Sequence, residues 1–337
     1  MDWFGRIAAR PALKIRARRP PRWLTVLLYH RVLPEPESGF ELDRGVADAR
    51  PDLFDRHMAF IAKTCTPIDL AQLIAYHGGG AELPRNPVLV TFDDGYLDNR
   101  EHALPILRRH GIRALFFIAT DYVGKRRLFW WDRVAYLFAH ARAGVAHLRY
   151  PTDLVLRLGE ERDRSARFVL KLFKTTRGLD LARFLDELAA ALDAPWDEAL
   201  ERGLVDRHIM TWDDVRALRD GGMDIGSHTR THRVLDTIEP GELAGELVQS
   251  KAEIERELGA KIASLSYPVG RAIRRLPLIE RAVRDAGYQI GFSVETRANP
   301  LARSAFDPFN VARVPMEPST SLDRLAAFLA APEMHGA

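Results

Sequence analysis

Short apolar runs alternate along this chain with segments in which apolar side chains recur every three to four residues. A run of about five apolar residues closed by turn formers predicts a buried strand, and the 3.6-residue spacing predicts an amphipathic helix. The first run is Val26-Leu27-Leu28-Tyr29-His30, followed by helical spacing at Phe54, Met58 and Ile61 and again over 70–74. Pro87 introduces Val88-Leu89-Val90-Thr91-Phe92, which Asp93-Asp94-Gly95 closes. A helix through Leu104 and Leu107 ends near Gly111, and Leu115-Phe116-Phe117-Ile118 is the next strand. Past residue 210 the rhythm returns. Thr211 and Asp214 have capping-box spacing, Gly221-Gly222 stops that helix, and 223–228 leaves it as a strand. A long helix is expected over 239–258, with strands at 263–267, 288–294 and 311–314 and a helix over 277–286. Such alternation specifies β/α units around a parallel sheet.

Residues 126–210 break the rhythm. Val134, Leu137, Phe168, Leu172, Leu185 and Leu192 recur at helical spacing with no strand expected between them. The organisation read from the pattern is a tail over 1–22 and one domain over 23–337, interrupted by a mostly helical insertion at 126–210. The pair Trp130-Trp131 suits either a sugar-stacking platform or an anchor for the insertion, and anchoring is the favoured reading.

Composition narrows the class. The chain is 47% hydrophobic and 28% charged, an ordinary globular balance, and its single cysteine excludes an internal disulfide framework or a cysteine-based zinc site. No apolar run reaches the roughly 18–20 residues that a membrane-spanning helix needs. Arg6, Arg10 and Lys14 interrupt the apolar residues of the N-terminus, unlike a secretory signal. The expectation is a cytoplasmic protein whose mature chain starts near Met1. Charge is uneven: residues 1–22 carry seven basic side chains against Asp2, whereas the whole chain is only +3, so the body is slightly acidic. Nucleic acid is therefore not an expected partner. A basic tail with Trp3, Phe4, Ile7, Leu13 and Ile15 interleaved has two readings: a solvated terminus, or peripheral contact with the anionic inner face of a membrane.

The chemistry concentrates at two predicted strand ends, where parallel α/β folds build their sites. Thr91-Phe92-Asp93-Asp94-Gly95-Tyr96 sets two carboxylates side by side. Side chains alternate along an extended chain, so the two can face different ways and take different tasks. Gly226-Ser227-His228-Thr229-Arg230-Thr231-His232 places two histidines at i and i+4, which meet on one face if the strand turns straight into a helical turn. Two imidazoles and a carboxylate make a catalytic metal site with a position left open for water.

These two motifs, with Tyr29-His30-Arg31-Val32, resemble those of the polysaccharide deacetylases, also called the NodB-homology or carbohydrate esterase 4 family, over roughly residues 24–125 and 208–316. The resemblance implies a distorted (β/α) barrel of about seven parallel strands. It also implies a divalent metal, usually zinc, and removal of N-acetyl groups from an amino sugar. Asp93 would be the general base, and Asp94, His228 and His232 the metal ligands. Tyr96, Tyr267 and Pro268 fall where substrate contacts are expected, and amides near Gly95-Tyr96 where an oxyanion would be held.

Two departures stand out. Ser266 occupies the position of the family's arginine in Ser266-Tyr267-Pro268, and Val311-Ala312-Arg313 replaces a leucine-x-histidine motif that carries the acid. Arg313 then becomes a candidate to steady the oxyanion or orient Asp93, and His30 a candidate acid or sugar contact. Two other functions stay open: hydrolysis of a different C–N bond, and sugar binding without turnover. The glycan and the oligomeric state stay open as well.

Overall fold

The computed structural model describes residues 23–34, 40–295 and 297–331. The basic tail and His335 lie outside these residues. Seven parallel strands form the centre: β1 (Trp23–Tyr29), β2 (Pro87–Phe92), β3 (Leu115–Ile118), β4 (Asp224–Ser227), β5 (Ser264–Ser266), β6 (Ile290–Val294) and β7 (Val311–Pro315). Each pairs with the next, and β1 pairs with both β2 and β7, which closes the barrel. The short strands Thr66–Pro67 and Asn299–Pro300 add to the outside of β2 and β1.

The strands read as unbroken apolar runs because both of their faces are covered. Val88, Val90 and Phe92 pack outward among the helices, while Leu89 belongs to a second cluster with Phe117 and Phe292. Phe117 on β3 and Phe292 on β6 are not on neighbouring strands, yet their rings lie 5.2 Å apart, so they meet inside the barrel. Leu89, Thr91 and Asp93 share one parity. The alternation that fills the interior therefore delivers Asp93 to its upper end.

The longer helices around the barrel and in the insertion are α1 (Pro51–Thr64), α2 (Leu70–His77), α3 (Trp130–Ala139), α4 (Arg162–Thr175), α5 (Leu181–Ala191), α6 (Glu198–His208), α7 (Trp212–Asp220), α8 (Ser250–Leu258), α9 (Pro277–Asp285) and α10 (Leu322–Ala330). The capping box of α7 is formed: the Asp214 amide donates to Thr211 Oγ1 at 3.2 Å, and the Thr211 amide donates to Asp214 at 2.9 Å. The long helix expected over 239–258 runs as Pro240–Ala244, a π-helical turn at Gly245–Gln249, and then α8, ending at Gly259 in the left-handed region. No helix among the described residues is long and apolar enough to cross a membrane.

The insertion holds α3 to α6 and, against expectation, an antiparallel hairpin of Val145–Leu148 with Leu154–Arg157. Only alternate residues of Val145–Leu148 are buried, a two-residue period too short to stand out between helical patterns. Trp130 stacks on Phe173 of α4 at 4.7 Å, and Trp131 stacks on Phe129 at 4.6 Å. Both tryptophans are buried. They anchor the insertion over the barrel mouth.

Candidate active site

Asp94 follows β2 and sits at φ 81°, in the left-handed region that a non-glycine residue adopts at a cost. His228 leaves β4, and its amide donates to Ile118 O at 2.8 Å. The segment after it is not the expected helical turn. Thr229 and His232 take φ of 62° and 53°, and the resulting loop brings the two imidazoles to 4.5 Å between centroids. Strained backbone at three positions of one site is held there by the surrounding structure and is common where function demands a fixed geometry.

Asp94, His228 and His232 are all buried and offer ligand atoms within 4.8 Å of one another. His228 Nδ1 lies 2.9 Å from Ser266 O, so it donates there and leaves Nε2 with its lone pair 3.5 Å from Asp94 Oδ1. His232 Nε2 lies 3.6 Å from the same oxygen. Asp94 Oδ1 is buried and has no hydrogen-bond partner among the described residues. Burial, helped by Asp93, Asp132 and Asp48 and opposed by His30, lifts the Asp94 carboxyl to about 8. Burial lowers both imidazoles, His232 strongly, and keeps them in the neutral form that ligates a metal. An unpaired buried carboxylate facing two neutral imidazoles fits a divalent cation.

Asp93 Oδ2 also lies 3.5 Å from His228 Nε2, but its hydrogen bonds go to other partners. Arg313 Nη1 and Nη2 donate to its two oxygens at 2.7 and 2.8 Å, and Ser266 Oγ adds a bond at 3.0 Å. Arg313 Nη2 also reaches Ser266 Oγ at 2.8 Å. The guanidinium fork comes from β7 rather than from the motif on β5, and Ser266 fills the smaller space left there. Burial alone would raise Asp93, but Arg313 and His228 outweigh it and hold the carboxyl well below the usual range. Asp93 is thus ionised and held in one orientation.

His30, at the end of β1, faces the same cavity with its side chain about 25% exposed. Its Nδ1 lies 3.1 Å from Asp48 Oδ2, and its backbone amide donates to the same oxygen. Burial pulls the imidazole down, yet Asp48, with Asp94 and Asp93 behind it, lifts it to about 9. Asp48 gave no sign in the sequence, because it lies on a short strand, Ala47–Ala49, that pairs with Arg31–Val32.

The cavity above these groups has a volume of about 430 Å³. Its walls include Val46 from the β1–α1 connection, Trp130, Trp131, Leu170 and Lys174 from the insertion, and Val269 and Gly270 after β5. Three expected substrate contacts are corrected. The Tyr96 ring is fully buried; its hydroxyl donates to Asp132 at 2.8 Å and accepts from Trp131 Nε1 at 2.7 Å. Tyr267 is equally buried, donating to Phe309 O at 2.7 Å, and Pro268 is buried beside it, so their loop turns Val269 and Gly270 to the cavity instead. The Gly95 amide donates to Asp93 O at 3.2 Å and is not free to hold an oxyanion.

The sequence pattern of the polysaccharide deacetylases matches residues 80–154 and 193–291, more than half of the chain, and the chain belongs to that family. The gap in the match falls within the insertion. Among curated proteins, the candidate polysaccharide deacetylase YxkH of Bacillus subtilis (strain 168) is 21% identical over 288 residues, spanning 84% of this chain and 68% of its own length. Among solved structures, the Streptococcus pyogenes deacetylase PplD, determined with acetate, superposes with a TM-score of 0.59 at 14% identity, over 92% of this chain and 99% of its own. IcaB from Ammonifex degensii gives 0.57 at 20% identity, over 93% and 99%. These superpositions bear out the barrel as the family's fold.

Proposed function

We propose that this protein is a metal-dependent N-deacetylase that hydrolyses the acetamide of an amino sugar in a glycan or glycan precursor. The observation carrying this reading is the buried trio Asp94, His228 and His232 beside an Asp93 clamped by Arg313. Family membership supports the substrate class. The donor set of two imidazoles and one carboxylate suits zinc. A divalent metal held there would acidify a water and polarise the acetamide carbonyl. The chain's own groups do the rest. Asp93 takes the proton of the attacking water at its carboxylate, while Arg313 and Ser266 fix that carboxylate's direction. His30, held protonated by Asp48, delivers a proton to the departing nitrogen. The products are acetate and a free amine. An acid at the mouth favours turnover over sugar binding alone, and acetate release separates this reading from hydrolysis of another C–N bond. The charge pattern of residues 1–22 supports a cytoplasmic protein resting on the inner face of a membrane.

The test is metal analysis beside acetate release from acetylated amino sugars, with the two aspartates changed separately. Asp93→Asn keeps its metal but loses about 10²–10⁴-fold in turnover, the usual contribution of a positioned base. Asp94→Asn loses metal first and activity with it, and excess zinc partly restores it. Zinc that revived Asp93→Asn and left Asp94→Asn inactive would reverse the assignment.

A further inference from the structure

The loop that carries His232 is short, strained and outside any helix or strand, yet its ligand must be placed to within a fraction of an ångström. Thr120, Asp121 and Tyr122 donate to its carbonyls at Thr229, Arg230 and Thr231, whereas the acceptor for its Arg230 and Thr231 amides comes from the helix behind it. Glu246 lies in the π-helical turn Gly245–Gln249 and is 6% exposed. Its Oε2 accepts from the backbone amides of Arg230 and Thr231 at 3.0 and 2.9 Å, and its Oε1 accepts from Thr231 Oγ1 at 2.6 Å. No ion pair to Glu246 is found among the described residues, so three neutral donors satisfy this buried carboxylate. One turn further on, Ser250 Oγ lies 2.9 Å from Ser227 Oγ, which in turn accepts from the Thr229 amide at 3.1 Å. The helix therefore grips the segment at Arg230 and Thr231 directly and at Thr229 through Ser227, and the His232 amide donates in turn to Thr229 Oγ1 at 3.2 Å. A π turn shifts the facing of a helix by a fraction of a turn, and such turns recur at functional sites.

From this geometry we infer that Glu246 is a positioning residue that sets the metal affinity of the site by fixing Arg230 and Thr231 between the left-handed residues Thr229 and His232. The inference rests on the metal-site reading above. Without the carboxylate, the Arg230 and Thr231 amides lose their acceptor. The loop can then relax toward ordinary backbone angles, and His232 swings from its place opposite Asp94. A cavity lined by Glu246, Arg230 and Thr231 adjoins the clamp, so water can replace the lost acceptor and the fold is not endangered. Outer partners of metal ligands typically govern about 10–100-fold in affinity.

The test is zinc affinity, measured by competition with a chromophoric chelator, on variants whose circular dichroism and melting match the parent. Glu246→Ala should bind zinc about 10–100-fold more weakly. Glu246→Gln should recover most of the loss, because its amide oxygen can accept both backbone amides and its nitrogen can donate to Thr231 Oγ1. Thr231→Val removes one of the three bonds and should show a smaller loss, which keeps the test sharp if the alanine variant fails to fold. Equal affinity in Glu246→Ala and the parent overturns the inference, as does a Glu246→Gln variant no better than alanine. A parent protein that binds no zinc overturns this inference together with the metal reading beneath it.

Discussion

Two adjacent aspartates show how environment divides one side chain into two roles. Asp93 meets a guanidinium fork and stays ionised, whereas Asp94, one peptide away, has no such partner, and burial lifts it to about 8. His30 is the third titrating group, and its partner Asp48 decides its charge. An acid must be protonated to act, so the active form of His30 exists below its pKa and is lost as pH rises through it. With the imidazole lifted to about 9, kcat/KM is expected to fall on the alkaline side near that value. Asp48→Asn removes the main raising charge and should draw the limb toward the ordinary histidine value of about 6.5. His30→Gln should abolish most turnover while zinc content stays at the parent level. A pH profile for Asp48→Asn that overlays the parent's would separate His30 from the proton transfer.

At the level of elements, motif residues that look like substrate contacts in sequence turn out to be struts. Tyr267 lies across β6, where a side-chain carbon added at Gly291 would come within 2.0 Å of its hydroxyl oxygen. Strand β6 therefore carries glycine where this ring must cross, and the hydroxyl satisfies Phe309 O. Tyr267→Phe strands that buried acceptor and should cost about 1–3 kcal/mol in urea unfolding, with KM for the acetylated sugar unchanged. A raised KM at parental stability would return Tyr267 to the substrate side. The insertion works similarly, since Trp131 packs on His232 at 4.5 Å between centroids and joins the Tyr96–Asp132 hydrogen bonds.

For the whole molecule, the strand pairings that close the barrel begin after the charged tail in sequence. The barrel core is closed by β1 pairing with both β2 and β7, starting at Trp23, and the strongly basic stretch ends at Arg22. Removing residues 1–20 is therefore expected to leave acetate release from soluble substrates nearly unchanged. If the tail meets anionic lipid, the same truncation lowers co-sedimentation with acidic vesicles, and added salt lowers it for the full chain as screening shortens the reach of the charges. Equal sedimentation of both forms at every salt concentration would make the tail a solvated terminus.

How much was legible beforehand follows from which interactions are local. The seven strands, the α7 capping box and the Gly221-Gly222 stop after α7 were all readable, because burial on both faces, a three-residue cap spacing and a left-handed glycine write themselves into adjacent positions. Asp93, Asp94, His228 and His232 stood out as candidates for the same reason, since each motif sits at the end of a recognisable strand. Groups from distant segments were not. Asp48 reaches His30 across 18 residues, and Glu246 reaches Thr231 from another element. The nearest case is Arg313, singled out by its motif as a candidate to steady an oxyanion or orient Asp93; only the closed barrel, which sets its fork on Asp93 across 220 residues, decides for the second. Local pattern determined which elements form and which residues stand at their ends. Tertiary structure alone decided which of those residues meet, because a pairing between sequence-distant side chains depends on the register of the closed sheet and leaves no periodicity along the chain.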